Sequence, residues 1–323
     1  MPARSPGTIP FDRRVLVVSG KGGTGKTTIA AALALAAARD GGRILLADVE
    51  GGEGPAALLG LDPPRFTEQP TPFGFRVLSI TPHEALLEYL RLFFHMGTLA
   101  RPLRGAQVLE TATESIPGFR DLMTAGKLYE LTLWRDRARD PRRPPYDLVV
   151  VDAPPAGQLL PFLLGPTGFR DLIRVGRPAR QLAGIDQLLS EESRVVLACV
   201  PEEMAVQETA ETVAALSDAG ISVSAVVANR VHGQPFPRGA RAASMRLSPA
   251  ELVASARRGG LELSSVQAEG ALHAAAAWDL QAREERKQLR RLQAIAPVVE
   301  LPFLYTRTFG PAEVEALADL LAA

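Results

Sequence analysis

The sequence predicts an α/β fold in which a mostly parallel central sheet is flanked by helices, and three observations predict it. The short runs VLVV, RILLAD, LVVVD and RVVLACV are apolar almost throughout, as strands buried on both faces are. Segments with helical periodicity separate them, the pattern of successive β-α-β units. The first three runs end in a glycine-rich loop or in an acid, which puts polar chemistry at the carboxyl edge, where open α/β sheets bind ligands.

The first strand leads into the most informative stretch, VLVVSGKGGTGKTT from Val15 to Thr28. Gly20, four further residues and then Gly25-Lys26-Thr27 satisfy the phosphate-loop spacing, with a strand pattern before and a helix pattern after. Gly22, Gly23 and Gly25 lack a Cβ and can take positive φ, bringing backbone N–H groups close to phosphate oxygens. Phosphates would sit at the N-terminus of the helix that begins near Lys26. Lys26 would bridge the β- and γ-phosphates, the Thr27 hydroxyl would ligate Mg²⁺ and Thr28 would donate to the α-phosphate. Gly20, Lys21, Gly22, Gly23, Thr24, Gly25, Lys26, Thr27 and Thr28 are therefore candidate nucleotide-binding residues. The additional lysine, Lys21, resembles the one in the deviant Walker A of the ParA, MinD, nitrogenase iron protein and ArsA group. That resemblance implies a lysine reaching across a dimer to the partner's nucleotide; in cis it would only add cationic charge.

With 323 residues the chain can bury a substantial core, and one large domain is expected over 13–323, with helical insertions near 83–140, 159–190 and 238–296. Residues 1–12 read as a flexible N-terminal tail; MPARSPGTIP has no secretory apolar region. Lys+Arg and Asp+Glu are balanced at 36 each, so no net field favours nucleic acid or an anionic membrane. The single cysteine, Cys199, excludes an intrachain disulfide and is expected in a reducing, cytoplasmic setting. No apolar run reaches the length of a membrane span; IAAALALAAA belongs to the helix after the phosphate loop.

Taken in order, RILLAD forms a second strand with Asp48 at its tip, a candidate to orient the attacking water or a Mg²⁺-bound water; as an alternative it is a helix-capping or turn acid. Glu50 is a weaker candidate for the same work. A proline-rich link, LDPPRFTEQPTPFG, precedes the strand RVLSI and the apolar helix HEALLEYLRLFFHMGTLARPL, whose leucines and phenylalanines would pack on the core, on a partner or on a client. His83 and His95 have no companions at metal-ligand spacing. Residues 110–134 predict a proline-glycine break and an amphipathic helix, and RDRARDPRRPP a solvated loop without aromatics for nucleic-acid stacking.

YDLVVVDAPPAGQ then gives a buried strand ending in Asp152, where a carboxylate would hold Mg²⁺ through water, followed by a proline and Gly157 loop that would sense a γ-phosphate. Residues 159–190 read as a lid or helical subdomain, RVVLACV and ISVSAVVANR as strands, and Asn229 at the second strand's tip offers both a donor and an acceptor to adenine. Residues 234–296 are expected to be helical; VVELPFLYTR supplies a last strand and a Pro302 loop before the closing amphipathic helix GPAEVEALADLLAA.

Together, GKGGTGKTT, LLADVEGG, VVVDAPPAGQ, VVANR and ELPFL resemble the ArsA and guided-entry ATPase family over nearly the whole chain, most of all its single-domain actinobacterial anion-transporting ATPase homologues. The resemblance implies a P-loop NTPase fold of the deviant Walker A (SIMIBI) type with helical insertions, and hydrolysis of ATP with Mg²⁺. It also implies a dimer switch, in a homodimer or a heterodimer with a paralogue, coupled to a protein client or a membrane-associated partner, without an integral membrane segment or nucleic acid. The alternatives are a client-binding targeting chaperone for membrane segments and a ParA- or MinD-like spatial-positioning ATPase, the latter disfavoured by the acidic AEVEALADLLAA. By position it makes Lys21 the trans lysine, Lys26 and Thr27 the Walker lysine and Mg²⁺ ligand, and Asp48 the water-orienting aspartate. Asp152 becomes the Walker B acid, Asn229 the adenine-binding asparagine and Pro302 part of a second adenine loop. The chain departs from the family at DVE in place of DPA and DAPPAGQ in place of DTAPTGH, and one cysteine is too few for a metalloid thiol cluster or a zinc-bridged CxxC pair.

Overall fold

The computed structural model describes residues 9–51, 54–63, 65–94, 116–132, 146–170, 172–236 and 239–322. Among the described residues eight strands make one sheet: β1 (Val15–Gly20), β2 (Ile44–Asp48), β3 (Gln69–Pro70), β4 (Arg76–Ser79), β5 (Leu148–Asp152), β6 (Ser193–Cys199), β7 (Val223–Val231) and β8 (Val298–Pro302). Their spatial order is β3-β4-β2-β5-β1-β6-β7-β8. Every pairing is parallel except that of β3 with β4.

Both faces of the sheet are covered, which explains the unbroken apolar runs. Val15 and Val17 of β1 turn to one core cluster, Leu16 and Val18 to the other. On the second face α1 (Lys26–Arg39) lies between the sheet and α11 (Pro311–Ala322). Its consecutive alanines are buried all round, so IAAALALAAA is the signature of a helix enclosed by protein.

The first face carries α3 (Pro82–Phe94), α4 (Phe119–Thr132), α5 (Ala156–Leu164), α6 (Gly176–Glu191) and α7 (Glu203–Asp218), after a short α2 (Gly54–Leu58) near the tip of β2. Leu86 and Leu87 of α3, Phe162 and Leu163 of α5, and Ile185 and Leu188 of α6 are buried. Their apolar stripes are thus used against neighbouring elements of this chain. A cavity of about 280 Å³ remains between α3, α4 and α6.

The expected helical stretch 234–296 is three helices: α8 (Arg241–Ser244), α9 (Pro249–Arg258) and the 29-residue α10 (Ser265–Gln293). Ser248 with Glu251 and Ser264 with Gln267 form capping boxes that set the starts of α9 and α10. Among the described residues no helix is long and apolar enough to cross a membrane.

Three expectations change. Residues 9–12 do not belong to a loose tail: Ile9 is fully buried, Phe11 packs on the core and Asp12 pairs with Arg194. The proline-rich link contains β3, an antiparallel edge strand. Gly157 lies in the first turn of α5, so the connection after Asp152 is only the short stretch Ala153–Pro155. The end of the apolar helix with His95 and the arginine-proline run lie outside the described residues.

Candidate nucleotide site

β5 lies between β2 and β1, so the ends of three neighbouring strands bring Asp48, Asp152 and the glycine-rich loop together. The loop leaves the sheet at Gly20 with φ 150°, where a Cβ would stand 2.2 Å from the Ala198 carbonyl oxygen of β6. Gly25 has φ 93°, and a Cβ there would meet Asn229 Nδ2 at 2.3 Å. These two glycines are required by close approach as well as by dihedral angle. Gly23 also has positive φ, whereas Gly22 does not, contrary to expectation, and a Cβ on Gly22 would meet nothing.

Within the loop the Thr24 hydroxyl donates to the Lys21 carbonyl at 2.7 Å, and Asn229 Nδ2 donates to the Thr24 carbonyl at 2.9 Å. The loop is therefore fastened to the tip of β7. α1 begins at Lys26 with Gly25 as its cap, no side-chain capping bond and no acid in its first turn. The first N–H groups of a helix have no acceptor within it, so this end is arranged to receive an anion.

Asp48 and Asp152 are register partners on β2 and β5 and are almost completely buried. Asp48 Oδ1 accepts the N–H groups of Glu50 and Gly51 at 3.1 and 3.2 Å, while its Oδ2 is buried without a partner. Asp152 takes a hydrogen bond from the Thr27 hydroxyl and has a buried, unpartnered Oδ1. Burial raises the Asp48 carboxyl. Burial first, then the Asp48 and Glu50 charges, push Asp152 up to about 7 against the pull of Thr27 and Lys26.

Unsatisfied buried carboxylate oxygens are costly, and two facing one another beside a threonine hydroxyl suit a hard cation with oxygen ligands. Among the described residues no cluster of three or more His, Cys, Asp or Glu is placed to hold a metal alone. That donor set fits Mg²⁺, which keeps waters and takes one or two carboxylates together with substrate phosphates.

The two loop cations already have counter-charges. Lys26 is buried with its Nζ 3.5 Å from Glu50 Oε2, and Lys21 pairs with Glu208 of α7. Ser19 Oγ donates to the Pro154 carbonyl at 2.5 Å, joining the end of β1 to the connection after Asp152. Neither Glu208 nor Ser19 was recognisable as a site residue from sequence, because each acts through a partner more than a hundred residues away. Thr28 lies in the first turn of α1, partly buried. Asn229 is 6% exposed; its amide spends one hydrogen on Thr24 and accepts the Arg230 N–H at 2.9 Å, leaving one hydrogen and one lone pair for a base. Pro302 is the exposed last residue of β8, opposite Val231.

A family model described as anion-transporting ATPase (ArsA) matches residues 13–187 and 172–237 in overlapping stretches, more than half of the chain. The chain belongs to this ATPase family. ATPase BagA of Mycobacterium tuberculosis (strain ATCC 25618 / H37Rv) is 37% identical over 223 residues, 67% of this chain and 65% of the relative. An uncharacterized protein of Streptomyces coelicolor (strain ATCC BAA-471 / A3(2) / M145) is 33% identical over 174 residues, 53% of this chain and 42% of the relative. The chain thus spans 65% or less of the length of these curated relatives. The part matched to the ArsA family includes Lys21, Lys26, Asp48, Asp152 and Asn229, and stops short of Pro302.

Proposed function

We propose that this ArsA-family chain is a Mg²⁺-dependent ATPase whose binding and hydrolysis of ATP drive a dimer switch coupled to a partner. One observation carries the reading: an uncapped helix start bearing a buried lysine faces two buried carboxylates with unpartnered oxygens. In this reading the loop N–H groups and the start of α1 hold the phosphates, and Lys26 spans the β- and γ-oxygens. Thr27 and Asp152 would hold the cation, and Asp48, with its unpartnered Oδ2, would orient the attacking water. Bound Mg²⁺ supplies charge neutralisation across the phosphates. Asn229 meets the base from the tip of β7, and Pro302 borders the same side from β8.

Lys21 completes the site from a second copy or a paralogue, as the family resemblance implies, and a cytoplasmic setting accords with the single buried thiol. Cys199 is raised to about 11 by burial, so it is not a reactive thiolate at neutral pH. For the alternative of a client-binding chaperone, the cavity between α3, α4 and α6, lined by Leu86, Leu90, Leu182 and Ile185, is the candidate groove. α11 carries Glu313, Glu315 and Asp319 and packs on α1, so this helix is not the basic membrane-binding helix that a MinD-like reading would ask of it. Equilibrium binding of ATP with and without Mg²⁺, followed by phosphate release, tests the proposal; a chain that binds neither ATP nor ADP overturns it.

A further inference from the structure

We propose that Glu50 is the residue by which this chain distinguishes a nucleoside triphosphate from a diphosphate, an inference that rests on the nucleotide reading above. The Lys26 side chain is only 9% exposed, and an ammonium so enclosed needs a counter-charge. Glu50 supplies one at 3.5 Å from a side chain that is 35% exposed, so the carboxylate that covers Lys26 has an open route into solvent.

Its backbone is fixed at one end, because the Glu50 and Gly51 N–H groups are bound by Asp48 Oδ1. Gly51, at φ 80°, turns the chain away just after Glu50.

Charge decides which anion holds the lysine. Glu50 lies 3.5 Å from the Lys26 ammonium, and Asp152 feels the charges of Lys26, Glu50 and Asp48. A diphosphate on the loop N–H groups leaves the outer side of Lys26 to Glu50. A third phosphate group needs that side of the same ammonium, and two anions cannot share it without strong repulsion. The triphosphate therefore expels Glu50 from Lys26 and loosens residues 49–51, while the diphosphate leaves both in place. Glu50 acts as a phosphate stand-in that only a γ-phosphate displaces.

The test is calorimetric titration of the whole chain and of Glu50→Gln with Mg²⁺ and either ADP or a slowly hydrolysed ATP analogue. Hydrogen exchange of residues 49–51 is followed in parallel. Glu50→Gln is expected to bind the analogue about five-fold or more tightly than the native chain does, with less than about two-fold change for ADP. In the native chain, exchange at 49–51 is expected to rise with the analogue and stay unchanged with ADP. An equal gain for both nucleotides overturns the inference, as does weaker binding of the analogue, which would make Glu50 a helper of the cation. Glu50→Ala, checked by thermal melting, provides the same comparison should the glutamine variant fold poorly. A native chain that binds neither nucleotide removes the underlying reading, whereas normal binding with an unchanged ratio in both variants removes this inference alone.

Discussion

Lys21 of the phosphate loop is ion-paired with Glu208 of α7, 187 residues further along the chain. Both side chains are 40% exposed, so the pair is worth less than about 1 kcal/mol and is easily surrendered to a phosphate. Glu208→Gln is accordingly expected to leave thermal stability nearly unchanged and to raise ATP turnover by no more than about five-fold. Lys21→Ala is expected to lower turnover by about 100-fold or more if the lysine works across a dimer. Light scattering during turnover decides the matter: a monomer that hydrolyses ATP as fast without Lys21 ends the trans assignment.

Lys26→Ala should weaken binding of ATP and ADP by about 100-fold, since a buried charge-assisted contact to phosphate is removed. Calorimetry measures the loss, and circular dichroism establishes that the fold is retained. Unchanged affinity would remove the phosphate-loop assignment.

Asp48→Asn separates binding from chemistry. The amide keeps an acceptor for the Glu50 and Gly51 N–H groups but loses the charge that holds water. Single-turnover phosphate release should slow by about 100-fold, with ATP affinity within about three-fold of native. A collapse of affinity would instead assign Asp48 a structural role.

Asp152 predicts a dependence of stability on pH. Its folded-state value of about 7 lies above its ordinary 3.8, so between about pH 4 and 7 the folded carboxyl keeps its proton while the unfolded one ionises. Stability therefore falls as pH rises through that window, and the loss is complete above pH 7, of the order of a few kcal/mol. Asp152→Asn should raise the melting temperature of the nucleotide-free chain at pH 8 by several degrees, with the gain shrinking toward pH 4 and Mg²⁺ no longer adding stability. Differential scanning calorimetry across pH measures it; a lower melting temperature at pH 8 would show that the carboxylate is held by more than its burial suggests.

Asn229 has two roles that one comparison resolves. If its remaining hydrogen and lone pair read adenine, Asn229→Ala should weaken ATP more than GTP by about ten-fold or more. If it serves only to fasten Thr24, both nucleotides should weaken equally.

The strands and the glycine-rich loop after β1 were legible in the sequence because a parallel sheet covered on both faces leaves unbroken apolar runs, and because glycine spacing has a steric cause at Gly20 and Gly25. The carboxylates were legible as acids at strand tips, but not the insertion of β5 between β1 and β2 that makes Asp48 and Asp152 neighbours. β3 was hidden because two residues carry no periodicity and pair only where β4 offers an edge. Ser248 and Ser264 announce the starts of α9 and α10 through capping boxes that a reading of continuous helix passes over. The Lys21–Glu208 and Ser19–Pro154 contacts leave no local pattern at all.

The fastening of Thr24 by Asn229 spans 205 residues, and β5 enters the middle of the sheet only after β2, β3 and β4 have been laid down. During synthesis the glycine-rich turn would leave the ribosome long before the strands that flank and anchor it. The bond that ties Thr24 down can therefore form only once the polypeptide has emerged as far as Asn229, so the turn acquires its final shape late in synthesis.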